Sequence, residues 1–239
     1  MLLLHEFGGS GRSWLPYLRD FSQRYTLVAV DALGHGRSDR PHEQDAYETR
    51  GRVADFVAVL DELEIDRAHV WGYSMGGRNA WAVLAHAPER VASLIVGGAG
   101  PPLPGDDDGP DYLEARARAL MRGDWQGFWR VLTPDGAEEG PGVRVFRERF
   151  ERNNDPAALA AVSLALREWP GLSPMARIPP SCHYAGALDG FLRRVQAGAA
   201  ALGGAMHVIE GVGHEAHFKA DRAVAAIVRT HLERVGLQP

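Results

Sequence analysis

Cysteine is almost absent: Cys182 is the only one in 239 residues. A single thiol excludes an internal disulfide and any zinc site assembled from cysteines, and it suits a reducing cytoplasm, the expected location. Long apolar runs are lacking too. Residues 1–4 are apolar but lead straight into His5 and Glu6, too short for a signal-peptide core and far too short to span a bilayer. No basic excess exists either, since 26 Lys and Arg face 31 Asp and Glu for a net charge of -5, with a pI near 6.1. Neither nucleic acid nor an anionic membrane is therefore an expected partner; a small molecule is. Low complexity is confined to the Pro/Gly/Asp-rich run at 101–110, which reads as a loop, and no internal repeat is visible.

What is present is an ordinary globular composition, 45% hydrophobic and 24% charged. The length allows two domains but suits one large α/β domain. Short apolar runs at 2–4, 27–30, 68–73, 94–96, 182–185 and 207–209 lack polar alternation, as strands covered on both faces do. Helical stripes lie between them: Val53, Phe56, Val57, Leu60 and Leu63, and later Val224, Ile227, Val228 and Leu232. Strand and helix in alternation predict a mostly parallel, doubly wound α/β sheet. From about 100 to 178 the alternation stops and helical patterns follow one another at 112–121, 125–132, 143–152 and 156–166. The expected organisation is a core of residues 1–99 and 179–239, with 100–178 inserted as a helical lid.

Gly72-Tyr73-Ser74-Met75-Gly76 matches Gly-x-Ser-x-Gly, follows the strand-like 68–73 and precedes a helical pattern at 79–86. In that setting the serine sits on a strained turn, with small neighbours letting strand and helix approach and the helix's positive end nearby. The pentapeptide alone is weak; its strand–turn–helix context makes Ser74 the expected nucleophile.

Four motifs in order, His5-Glu-Phe-Gly-Gly-Ser, Asp31-Ala-Leu-Gly-His-Gly-Arg-Ser, Gly72-Tyr-Ser-Met-Gly-Gly-Arg and Gly213-His214, resemble the α/β-hydrolase superfamily from Leu2 to about Leu232. The resemblance implies the order nucleophile, acid, base. Among ten histidines, His214 follows the last strand in Glu210-Gly-Val-Gly-His-Glu and becomes the base, with His217 a rival read as a pocket or surface residue. Asp189, in the loop beyond the strand at 182–185, becomes the orienting carboxylate. The resemblance also implies an oxyanion hole from the backbone N–H groups of Phe7 and Met75. Here the chain departs from the usual His-Gly by placing Glu6 after His5, a carboxylate near a site that must hold negative charge. Arg78, one helical turn after Ser74, either grips a substrate carboxylate or pairs structurally. Trp129 in the insertion is a candidate substrate contact, although tryptophans there also suit a lid core. His35 and Asp39 are read as shaping their loop.

The leading function is hydrolysis of a small carboxylic ester or thioester through an acyl-enzyme, requiring neither metal nor organic cofactor. A second reading uses the same three residues for C–C cleavage. The menaquinone-pathway synthase that eliminates pyruvate is similar in Gly-Tyr-Ser-(Met/Leu)-Gly-Gly-Arg and in Arg152-Asn-Asn ahead of an Ala/Leu-rich helix, though Glu6 counts against it. A third is a silent, ligand-binding member of the fold. Ser74 in the nucleophile's place argues against dehalogenase and epoxide hydrolase. The resembled fold begins with an antiparallel hairpin that has no residues here, so the strand at 27–30 is expected at the sheet edge. Either the protein starts upstream of Met1, or that edge is covered, for instance in a homodimer.

Overall fold

The computed structural model describes residues 1–103, 110–133, 141–169 and 178–236. Most of the 101–110 run lies outside them. Six strands form one all-parallel sheet among the described residues: β1 (Leu2–Leu4), β2 (Val28–Val30), β3 (Ala68–Tyr73), β4 (Val91–Gly97), β5 (Ser181–Gly186) and β6 (Ala205–Ile209), in the order β2-β1-β3-β4-β5-β6. The strand expected at an edge is at one: β2 pairs only with β1, Leu3 opposite Ala29, and its residues are partly exposed. The central strands β1, β3, β4 and β5 are buried throughout, which is why their sequences lack alternation.

Alternate side chains of these strands feed two cores. Leu2, Leu4, Val70, Leu94 and Val96 pack on one face with α2 (Thr49–Glu62) and α3 (Met75–His86). Leu3, Trp71, Tyr73, Ile95 and Tyr184 pack on the other with α1 (Leu15–Phe21) and the late helix carrying Val224, Val228 and Leu232. Full burial of each such aliphatic side chain contributes about 1.5–3 kcal/mol.

Between β4 and β5 come α4 (Pro110–Met121), α5 (Trp125–Leu132), α6 (Pro141–Asn153) and α7 (Pro156–Ala165). The starts of two are written in the sequence: Asp124 accepts from the Gly127 N–H, and Asp155, just before Pro156, accepts from Ala157 and Ala158. These helices hold their own small core of Ala117, Leu120, Phe128, Trp129 and Leu159, against which Phe7 and Phe150 pack. The chain then continues through α8 (Leu192–Leu202), α9 (Ala216–Lys219) and α10 (Asp221–Val235). Neither α1 nor α8 shows in the apolar pattern. The first is under two turns long, and the second is Ala-rich around Gly198, where a Cβ would strike Trp81. Among the described residues no helix is long and apolar enough to cross a membrane.

The sheet order reverses at β1, since β2 and β3 lie on its two sides. In open parallel sheets that switch point, at the carboxyl ends of the strands, is where a crevice opens. The loop after β1 and the turn after β3 flank it.

Candidate active site

Ser74 joins β3 to α3 with φ 54° and ψ -115°, a left-handed conformation for a residue with a Cβ. Such a position costs on the order of 1–3 kcal/mol and persists only when its surroundings enforce it. They do so here by crowding. A Cβ on Gly72 would collide with the Gly76 carbonyl, and one on Gly76 with the carbonyl of Leu4. The Ser74 N–H is held by the Gly97 carbonyl at 2.8 Å. The turn therefore lifts the hydroxyl out of the sheet at the positive end of α3.

That hydroxyl lies 2.9 Å from Nε2 of His214, whose Nδ1 lies 3.0 and 3.1 Å from the two carboxylate oxygens of Asp189. The three residues come from the ends of β3, β5 and β6, as the sequence reading expected. Asp189 has a fully buried carboxylate, while the His214 side chain is 39% exposed. The Phe191 N–H also donates to Asp189 at 2.9 Å, fixing the carboxylate. A carboxylate facing Nδ1 places the proton there, which leaves Nε2 bare to accept from the serine.

His217 does not compete for this position. It is wholly buried, not the pocket or surface residue the sequence suggested, packed among Trp14, Tyr17 and Tyr73, with Nδ1 3.1 Å from the Tyr184 hydroxyl. Burial pushes its pKa down to about 3, so it stays neutral. Tyr73, read from sequence only as a strand residue, stacks on the His214 ring at 5.6 Å and donates its hydroxyl proton to the His214 carbonyl. Nothing local in the sequence predicts that contact across 141 positions.

The loop after β1 is tied down by histidines. His5 uses Nδ1 toward the Glu6 carbonyl at 2.7 Å and Nε2 as acceptor for the Ala32 N–H at 3.0 Å. His35 is buried against the rings of His5 and Phe7, where burial holds its pKa near 3; Asp39 gives its carbonyl to the Gly34 N–H. Both shape the loop. Among the described residues, no acceptor takes the backbone N–H of Phe7 or of Met75, so both remain available to an incoming oxygen. Glu6, half-buried as a residue, does not turn to solvent. Its carboxyl end folds back over Gly9, accepts from the Ser13 hydroxyl at 2.8 Å, and leaves Oε2 buried without a partner. Burial pushes its pKa up to about 7, against opposing pulls from its own N–H, Ser13 and His214.

The two expected substrate contacts both have partners within the protein. Arg78 donates to the carbonyls of Leu166 and Glu168 and sits 4.7 Å from the centre of the Trp169 ring, joining α3 to the end of α7. Trp129 packs within the inserted helices against Phe128 and Phe150 and donates to Glu151 at 2.7 Å.

Comparison with known proteins adds the lineage. A candidate 2-succinyl-6-hydroxy-2,4-cyclohexadiene-1-carboxylate synthase of Bacillus subtilis (strain 168) is 36% identical over 96 residues, 40% of this chain and 35% of that protein. Epoxide hydrolase 4 of Mus musculus is 38% identical over 96 residues, 40% of this chain and 27% of its own. The chain thus spans about a third or less of the length of these curated relatives. Among solved structures, a hydrolase from Pseudomonas aeruginosa PA01 superposes with a TM-score of 0.77 at 24% identity, covering 97% of this chain and 88% of that one. Sequence identity that low carries the fold alone, but the sequence profile of the alpha/beta hydrolase fold matches residues 1–198. With a parallel sheet, a serine on the sharp turn after β3 and that match along most of its length, the chain belongs to the α/β-hydrolase family.

Proposed function

We propose that the protein is a serine hydrolase that cleaves a small carboxylic ester or thioester. The observation carrying this reading is the unbroken hydrogen-bonded line from the Ser74 hydroxyl through His214 to the buried Asp189. Ser74 Oγ bonds to the acyl carbon as its proton passes to Nε2 of His214; Asp189 stabilises the imidazolium. The N–H groups of Phe7 and Met75 receive the carbonyl oxygen as it gains charge. Collapse expels the alcohol or thiol, which takes the proton from His214. Water then gives a proton to His214, attacks the acyl carbon and releases the acid, and Ser74 regains its proton. Helices α4–α7 serve as a lid over this crevice. The Asn154 amide donates to the Gly8 carbonyl at 2.9 Å, and Phe150 covers Gly8, so the insertion rests on the loop that carries Phe7.

Aryl esters of graded acyl length test the reading with purified protein. Turnover that vanishes in Ser74→Ala, with the far-UV spectrum unchanged, is expected; equal turnover by both would overturn it. A second reading, C–C cleavage by the same three residues, is supported by the 36% identical stretch shared with the synthase candidate. Pyruvate release from that enzyme's substrate, without ester turnover, would favour it.

A further inference from the structure

Among the described residues, Arg116 on α4 is a cation without a carboxylate partner. The residue is 5% exposed. Its Nε donates to the Ser163 hydroxyl at 2.8 Å, and Ser163 in turn donates to the Leu113 carbonyl at 2.9 Å. The Tyr112 hydroxyl helps to hold the guanidinium charged, against burial that lowers its pKa. The guanidinium carbon lies only 3.8 Å from the centre of the Phe7 ring. Its Nη2 is buried with no partner, and among the described residues no carboxylate pairs with it. Within reach of its field stands His35, held neutral, whose Nε2 is buried and unpartnered as well.

A guanidinium removed from water is stabilised when an opposite charge and full hydrogen bonding replace its solvation; an aromatic face replaces only part of it. The unmet donor here is beside the residue whose N–H we assign to the oxyanion hole. Arg78, by contrast, spends hydrogen bonds on two carbonyls.

We propose that Arg116 is the anion subsite of this crevice, its Nη2 binding a carboxylate at the far end of the acyl group, so that the substrate is a half-ester or half-thioester of a dicarboxylic acid. The proposal rests on the serine-hydrolase reading for its choice of substrate. The guanidinium comes from the insertion and lies against the Phe7 ring, while the serine comes from the sheet. Binding the substrate's charged end would therefore also hold the insertion in place over Phe7.

The experiment compares 4-nitrophenyl hydrogen glutarate with the neutral 4-nitrophenyl butyrate in the full chain, in Arg116→Met and in Arg116→Lys. The unaltered protein is expected to prefer the anionic ester. Arg116→Met should lose about thirtyfold more in kcat/KM on the anionic ester than on butyrate, about 2 kcal/mol at 1.4 kcal/mol per tenfold. Arg116→Lys keeps the charge and should fall between. Equal losses on both esters would overturn the proposal and leave Arg116 as a pin between α4 and α7. A measurement without variants guards against misfolding: glutarate should slow fluorophosphonate labelling of the unaltered protein more than neutral glutaramide does. Labelling that proceeds equally with either would also overturn the proposal. If Ser74 labels but neither ester turns over, the hydrolase reading fails alone, and glutarate protection still decides the subsite.

Discussion

Glu6→Gln exchanges a buried carboxyl for an amide of the same shape and so separates its charge from its packing. The carboxyl's ordinary value of 4.5 is raised to about 7 in the folded chain because burial disfavours the charged form. The folded state therefore holds this proton more tightly than the unfolded state. Between 4.5 and about 7 the unfolded chain has released it and the folded chain has not, so stability falls as pH rises through that window and levels off above it. At 1.36 kcal/mol per pH unit, the full penalty above pH 7 is about 3 kcal/mol. Glutamine has no proton to lose. Its NH2 would replace the unpartnered Oε2 at a cost of about 1–3 kcal/mol, the same at every pH. The stability of Glu6→Gln relative to the unaltered protein should thus rise by about 3 kcal/mol from about pH 4.5 to about pH 8, whatever its fixed offset. Urea unfolding at steps of pH measures this directly. Parallel curves for the two proteins would refute the burial argument. The same charge should matter to the reaction, because an ionised Glu6 opposes negative charge at the neighbouring N–H groups. Ester kcat/KM of the unaltered protein should sag above about pH 7 and that of Glu6→Gln should not.

Arg78→Ala removes the donors to Leu166 and Glu168 and should cost about 1.5–3 kcal/mol of stability, read by thermal unfolding. Its loss of activity should be alike for anionic and neutral esters; a selective loss on the anionic one would return Arg78 to the substrate site. Tyr73→Phe frees the His214 carbonyl and should lower kcat with KM little changed, and a variant with unaltered kcat would remove Tyr73 from the positioning of His214. Ser74→Gly relieves the strained turn at φ 54° and should raise stability by about 1 kcal/mol or more. Lower stability in Ser74→Gly would mean that the serine side chain contributes more than its backbone costs.

The strands and the inserted helices were legible because their signals are local. Buried strands are unbroken apolar runs, and Asp124, Asp155 and Pro156 punctuate the helix starts. Ser74, Asp189 and His214 were legible through order and position: each follows a strand, and the fold brings strand ends to one crevice. Contacts between distant segments were not legible. His217 and His214 look alike in sequence, yet one faces the crevice while the other is locked among Trp14, Tyr17 and Tyr73. Glu6 looked ambiguous until its carboxyl proved to fold back over Gly9 onto Ser13. Arg116 carries no motif at all. Its packing against Phe7 and its buried, unpartnered Nη2 emerge only from the fold.

Peptide mapping after treatment with a fluorophosphonate shows whether Ser74 is the nucleophile and His214 its base. One modified peptide is expected, with the phosphonyl group on Ser74, and a labelling rate reduced by about 10⁴ in His214→Ala, the scale found when such triads are broken. An adduct on another residue, or normal labelling in a folded His214→Ala, would contradict these roles.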